Sequence, residues 1–134
     1  MFCQSDIFFK RIVIWIRLTK SPNIKINEKN IKSGIAFNPS TPKEKIIPYI
    51  DIADMILVMS VEPGYCGQSF HENAIDRVKY FKTNYPDKII EVDGGVSTQN
   101  SAILGKNGAD ILVAGSAIFK SNDPIQTIAE MKKS

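Results

Sequence analysis

An acid closes an apolar run in IIEVDGGVSTQN, and two glycines follow it at once: Asp93, Gly94 and Gly95. A strand that only packs has no use for a carboxylate at its end. Placed at a strand mouth beside bare backbone, a carboxylate can move a proton at a carbon next to a carbonyl, or hold a divalent metal. The competing reading makes Asp93 the cap of the next turn, a role Asp fills well, with Ser97 a second candidate for that cap. Gly94 and Gly95 let backbone N–H groups come close to a ligand. Gly115 and Ser116 repeat the device after the next apolar run, again ahead of a helix start. Two such turns at successive strand ends suit a phosphate monoester. Either one alone reads as a tight turn, and that alternative stays open.

Elements that alternate in period must carry these residues. RIVIWIRL (11–18), GIAF (34–37), MILVM (55–59), KIIEV (88–92) and DILVA (110–114) read as short apolar strands. Helical patterns fall between and after them, at 21–33, 41–50, 72–85, about 98–106 and 123–133. Ser21-Pro22 and Asp123-Pro124 mark two of the starts. In the helix at 72–85, Ile75, Val78 and Tyr80 or Phe81 fall near one face. Strands alternating with helices predict right-handed βαβ units and a parallel α/β sheet, and strands without polar alternation predict burial on both faces. Ligands of such sheets sit at the carboxyl ends of the strands. The informative loops are therefore 38–42, 60–70, 93–97 and 115–119, of which 60–70 is the longest and least regular.

Composition excludes several function classes. The chain has 134 residues, enough for one domain, with 43% hydrophobic residues and a formal charge of +3. Lys and Arg are interspersed with Asp and Glu, which argues against a nucleic-acid partner and leaves anionic small molecules. Cys3 and Cys66 form neither a disulfide framework nor a metal-ligand spacing, as expected of a reduced, cytoplasmic protein. The apolar start is interrupted by Lys10, Arg11 and Arg17, so it holds no run of the roughly 18 residues that a membrane span needs. Asp6 and the lack of a small-residue cleavage site speak against a secretory leader. Four residues keep modest roles. His71, the sole histidine, reads as a surface residue, Trp15 as core, Met59 as core or pocket lining, and Glu62 as a turn residue.

GIAFNPSTP, MILVMSVEPGYCGQSF, IIEVDGGVST and GADILVAGSAIF together resemble the ribulose-phosphate 3-epimerase family, in its order and at compatible spacings. The likeness runs from about Gly34 to the end, with a divergent segment at 1–33. It implies that 34–134 form the C-terminal half of a ribulose-phosphate-binding (β/α)8 TIM barrel, holding strands four or five to eight. It also implies interconversion of D-ribulose 5-phosphate and D-xylulose 5-phosphate by proton transfer at C3. By the resemblance, Asp93 is both a catalytic acid and a ligand of a divalent metal (Zn, Mn, Fe or Co). Gly64, Tyr65, Cys66 and Gly67 match the loop that covers the substrate, with Cys66 where the family commonly has glycine. Gly94, Gly95, Gly115 and Ser116 match the phosphate grip. The family's two histidines and partner aspartate belong to earlier strands, so the metal site is expected to be incomplete here. Two other readings are a non-catalytic, phosphate-binding remnant of the family and, from strand count alone, a flavodoxin-like nucleotide binder. Unpaired apolar edges of a partial barrel invite association, into a homo-oligomer or an aggregate.

Overall fold

The computed structural model describes residues 11–14, 32–62, 64 and 68–133. Five strands form one sheet: β1 (Arg11–Ile14), β2 (Lys32–Phe37), β3 (Met55–Met59), β4 (Ile89–Asp93) and β5 (Ile111–Val113). Their order across the sheet is their order along the chain, and every pairing is parallel. A doubly wound nucleotide-binding sheet reverses its strand order at a switch point. The described sheet has no such reversal, which removes the flavodoxin-like reading. Strands that advance in one direction form the wall of a barrel.

The helices are α1 (Asn73–Asn84), α2 (Ser101–Lys106), α3 (Ser116–Phe119) and α4 (Pro124–Lys132). Side chains alternate across a strand, so each strand serves two layers. Ile35, Phe37, Ile56, Val58, Ile90 and Val92 face the helices and pack with Val78, Phe81 and Leu104. Ala36, Leu57 and Met59 form a second cluster with Val61 on the inner face. Helix α1 buries Ala74, Val78 and Phe81, while Ile75 and Tyr80 pack at the edge of the core. Phe81 meets Phe37 edge to face at 5.4 Å between centroids, a favoured aromatic geometry.

At the amino ends of the strands one device occurs twice. Asp54, just before β3, donates its N–H to the Ser33 carbonyl at 2.9 Å and accepts the Ser33 N–H on Oδ2 at 2.8 Å. Asp110, just before β5, does the same to Ile90, at 2.8 Å and 2.8 Å. Each aspartate thus closes a two-point clamp on the second residue of the preceding strand. Parallel strands have no hairpin to set their register, so these clamps supply it. Lys82 Nζ reaches Asp110 at 2.9 Å and reinforces the second clamp.

Several expectations change. The helix expected at 41–50 is two short 3-10 helices, Lys43–Lys45 and Ile47–Ile52. Pro48 has no N–H to give and its ring collides with the preceding turn, so an α-helix cannot run through it. Lys32 and Ser33, assigned to the end of a helix at 21–33, open β2 instead. Residues 21–31, 15–18 of the first strand, and Trp15 lie outside the described residues. Burial on both faces holds for β3, every residue of which is buried. In β4 only Ile90 and Val92 are buried, and β5 is half-buried throughout. The inner face near the sheet's edge has fewer neighbours to cover it. Among the described residues no helix is long and apolar enough to cross a membrane.

Candidate functional site

Asp93 is the last residue of β4, in register with Met59 on β3 and Val113 on β5. The two-residue period puts Glu91 on the same inner face, in register with Leu57 and Ile111. Asp93 is half-buried, and loss of hydration pushes its carboxyl above the ordinary range. A hydrogen bond from the Gly94 N–H pulls the other way and is the smaller effect.

The backbone just past Asp93 is tightly seated. Gly94 has φ 114°, and a Cβ there would lie 2.5 Å from Val61 Cγ2. Gly95 has φ 62°, with a Cβ position 2.9 Å from the Phe70 backbone nitrogen. Both backbone angles and both neighbours demand glycine. Ser60, fully buried at the end of β3, joins the neighbouring strand ends. Its N–H donates to the Asp93 carbonyl at 2.8 Å, and its hydroxyl reaches the carbonyls of Asp93 and Gly94. The His71 N–H then donates to the Ser60 carbonyl, closing the loop 60–70 onto the same point. Inside that loop Gln68 Nε2 donates to the Glu62 carbonyl, while the Glu62 carboxylate accepts from Ser40 Oγ.

Asp93 does not cap the following helix. The N-cap of α2 is Asn100, whose Oδ1 accepts the Ser97 N–H at 2.8 Å and whose Nδ2 donates to the Gly95 carbonyl at 3.0 Å. Ser97 Oγ accepts the Gln99 N–H at 3.3 Å, so the turn holds itself together. On the far side, Arg77 of α1 donates to the carbonyls of Asn38 and Pro39 and lies over the Phe37 ring at 5.3 Å. Burial lowers the Arg77 pKa against the pull of Glu62 and Glu44. Beside it, Asn38 Oδ1 is buried without a hydrogen-bond partner among the described residues.

A depression of about 450 Å³ opens where the end of the 60–70 loop, the 95–100 turn and the start of α3 meet. Gln68, Gly95, Ser97, Ser116 and Lys120 are among the residues lining it. Of the residues read from sequence, Gly95 and Ser116 are thus brought together. Asp93, Gly94 and Gly115 do not line this depression. Gly64 is exposed, with open space where a Cβ would sit. Tyr65, Cys66 and Gly67 lie outside the described residues. His71 is exposed, as expected of a surface residue. Met59 is buried on the inner face and does not line the depression.

Four residues of this site escaped the sequence reading: Ser60, Arg77, Glu91 and Lys120. Glu91 carried a signal, since it stands two residues before Asp93 in a strand. The contacts of Ser60 and Arg77 span 33 to 39 positions, and no local pattern announces such distances. Among the described residues no group of three or more His, Cys, Asp or Glu converges on one point. The described side chains therefore do not fit a divalent metal by themselves.

Parallel strands advancing in order, with irregular loops at their carboxyl ends, define part of a (β/α)8 barrel. The solved 3-hexulose-6-phosphate synthase from Salmonella typhimurium shares this fold, with TM-score 0.61 at 19% identity over 81% of this chain and 51% of that one. The family model described as "Ribulose-phosphate 3 epimerase family" matches residues 16–119. Ribulose-phosphate 3-epimerase of Schizosaccharomyces pombe is 38% identical over 110 residues, covering 82% of this chain and 48% of that protein. The Escherichia coli K12 enzyme of the same name is 40% identical over 111 residues, covering 80% and 49%. The chain belongs to the ribulose-phosphate 3-epimerase family. It spans about half the length of these curated relatives.

Proposed function

We propose that this chain acts on a pentulose phosphate as a ribulose-phosphate 3-epimerase, interconverting D-ribulose 5-phosphate and D-xylulose 5-phosphate. The observation that supports this most is the depression where Gly95, Ser116 and Lys120 converge, two residues beyond the strand end that carries Asp93. Serine hydroxyls, bare backbone and one ammonium group suit a phosphate dianion. By the family resemblance, Gly94 and Gly115 would complete the phosphate grip, and Gly64, Tyr65, Cys66 and Gly67 would belong to the loop that covers the sugar.

With the phosphate held there, Asp93 exchanges a proton at C3. Removing that proton leaves an enediolate, and a proton delivered to the opposite face by a second acid, which the described residues do not supply, gives the epimer. A carboxyl whose pKa is raised by burial is a stronger base than an ordinary carboxylate and so better suited to taking a proton. A divalent metal, which the family resemblance implies, would stabilise charge on the enediolate; Asp93 is this chain's candidate ligand. The described residues do not complete such a site. The reading also carries a cytoplasmic location and association between copies through the half-buried edge at β5.

The test is deuterium incorporation at C3 of D-ribulose 5-phosphate in D2O, with the purified chain. Exchange that Asp93→Asn removes, roughly 10²-fold or more, supports the reading. Binding of the sugar phosphate without exchange would instead fit a non-catalytic, phosphate-binding member of the family.

A further inference from the structure

We infer that Ser60 is a positioning residue for Asp93, acting through the peptide unit that joins Asp93 to Gly94. The role in chemistry rests on the epimerase reading above, while the geometry stands independently of it.

Ser60 is 0% exposed, and buried hydroxyls are kept only where they are hydrogen-bonded. Two of its donors converge on one acceptor. The Asp93 carbonyl takes the Ser60 N–H at 2.8 Å and lies 3.0 Å from Ser60 Oγ. The same hydroxyl makes a shorter contact with the Gly94 carbonyl. A single O–H proton is shared between two carbonyls, which are thereby drawn to the same side. A peptide unit is planar, with its N–H pointing away from its C=O. Fixing the Asp93 carbonyl therefore fixes the direction of the Gly94 N–H, a donor close enough to the Asp93 carboxyl to lower its pKa.

Steric contact closes the remaining freedom. Val61, the residue after Ser60, packs so close to Gly94 that no Cβ fits between them. The strand end is thus gripped by hydrogen bonds from one residue and by contact from the next. Without the hydroxyl, the Asp93 carbonyl keeps one donor and the Gly94 carbonyl loses the one from Ser60. The peptide unit can then rock, and the carboxylate loses its fixed partner.

The experiment is two-dimensional 1H–15N NMR with hydrogen exchange on the full chain, comparing wild type, Ser60→Ala and Ser60→Thr. In Ser60→Ala the Gly94 amide is expected to move upfield and to exchange about tenfold faster, the loss expected for one local hydrogen bond. Amides of Ile35 and Ile56, on β2 and β3 away from the mouth, are expected to keep their rates. Ser60→Thr, which retains the hydroxyl, should restore the Gly94 signal. An unchanged Gly94 amide in Ser60→Ala overturns the inference. So does equal acceleration across β2, β3 and β4, the mark of a merely structural role, and so does a folded Ser60→Thr that fails to restore the signal. Should Ser60→Ala not fold, Ser60→Cys keeps the volume with a weak donor and must show the same selective change. A wild-type Gly94 signal in Ser60→Cys overturns the inference equally. Since no sugar phosphate is added, absence of C3 exchange with an altered Gly94 amide would count against the epimerase reading alone.

Discussion

Replacing Gly94 by alanine sets a methyl group 2.5 Å from Val61 Cγ2 and 3.0 Å from the Val61 backbone nitrogen. The valine side chain can turn, but the backbone nitrogen belongs to the segment that Ser60 ties to β4. Relief therefore requires the two strand ends to part. Overpacking of this kind costs about 1–3 kcal/mol. A φ of 114° adds strain of about 1–3 kcal/mol for a residue with a side chain. Together these come to about 2–6 kcal/mol, a large share of the ~5–15 kcal/mol that holds a domain folded. Gly115 provides the internal control. Its φ is −109°, and nothing lies within 4 Å of the position a Cβ would take. Gly115→Ala should change stability by less than about 0.5 kcal/mol. Urea unfolding of both variants beside the parent makes the measurement, with midpoints compared at equal slope. A Gly94→Ala protein as stable as its parent would refute the reasoning. Equal losses for the two glycines would refute it as well.

Asp93→Asn should remove a pH dependence of stability. The folded carboxyl is raised, so the stability it supports is complete below its unfolded value and declines as pH rises through the folded value. At neutral pH Asp93→Asn should therefore be at least as stable as the parent, with the gap closing toward pH 4, followed by urea unfolding across pH. Lys82→Met should cost less than about 1 kcal/mol, since the Lys82–Asp110 pair is partly exposed. Asp110→Ala also strips the Ile90 N–H of its acceptor and should cost about 1–3 kcal/mol more, read from the same unfolding curves. Phe119 and Ile125 are 77% and 82% exposed, and Phe119→Ser with Ile125→Lys should shift any self-association toward monomer in sedimentation velocity.

The described strands β2 to β5 and most of helix α1 were legible because each carries a repeating apolar pattern long enough to count. The parallel sense of the sheet followed from alternation, since a parallel strand must be reached by a crossover, while its order came only with the structure. Where the reading failed, a single residue outweighed the pattern. Pro48 breaks the helix expected at 41–50. Residues Lys32 and Ser33 read as helical by composition, yet Ser33 is drawn into β2 by the Asp54 clamp. At the site, Asp93 and the glycine pairs stood out because their types conflict with their surroundings. Ser60 and Arg77 did not, since serine after a strand and arginine on a helix are unremarkable until the fold supplies their partners. Lys120 is ordinary in the same way, and only the approach of α3 to the 95–100 turn gives it company. The four-block family resemblance reached further than periodicity, to the family that the chain belongs to.

The paired aspartates before β3 and β5 give this sheet a modular construction. Each strand couple, β2 with β3 and β4 with β5, carries its own alignment pin at the end remote from the candidate site. A couple moved as a cassette into another barrel wall would bring its register with it. Its far loops would then be left to shape the ligand, provided that the ties Ser60 and Gly94 make at the site end are kept.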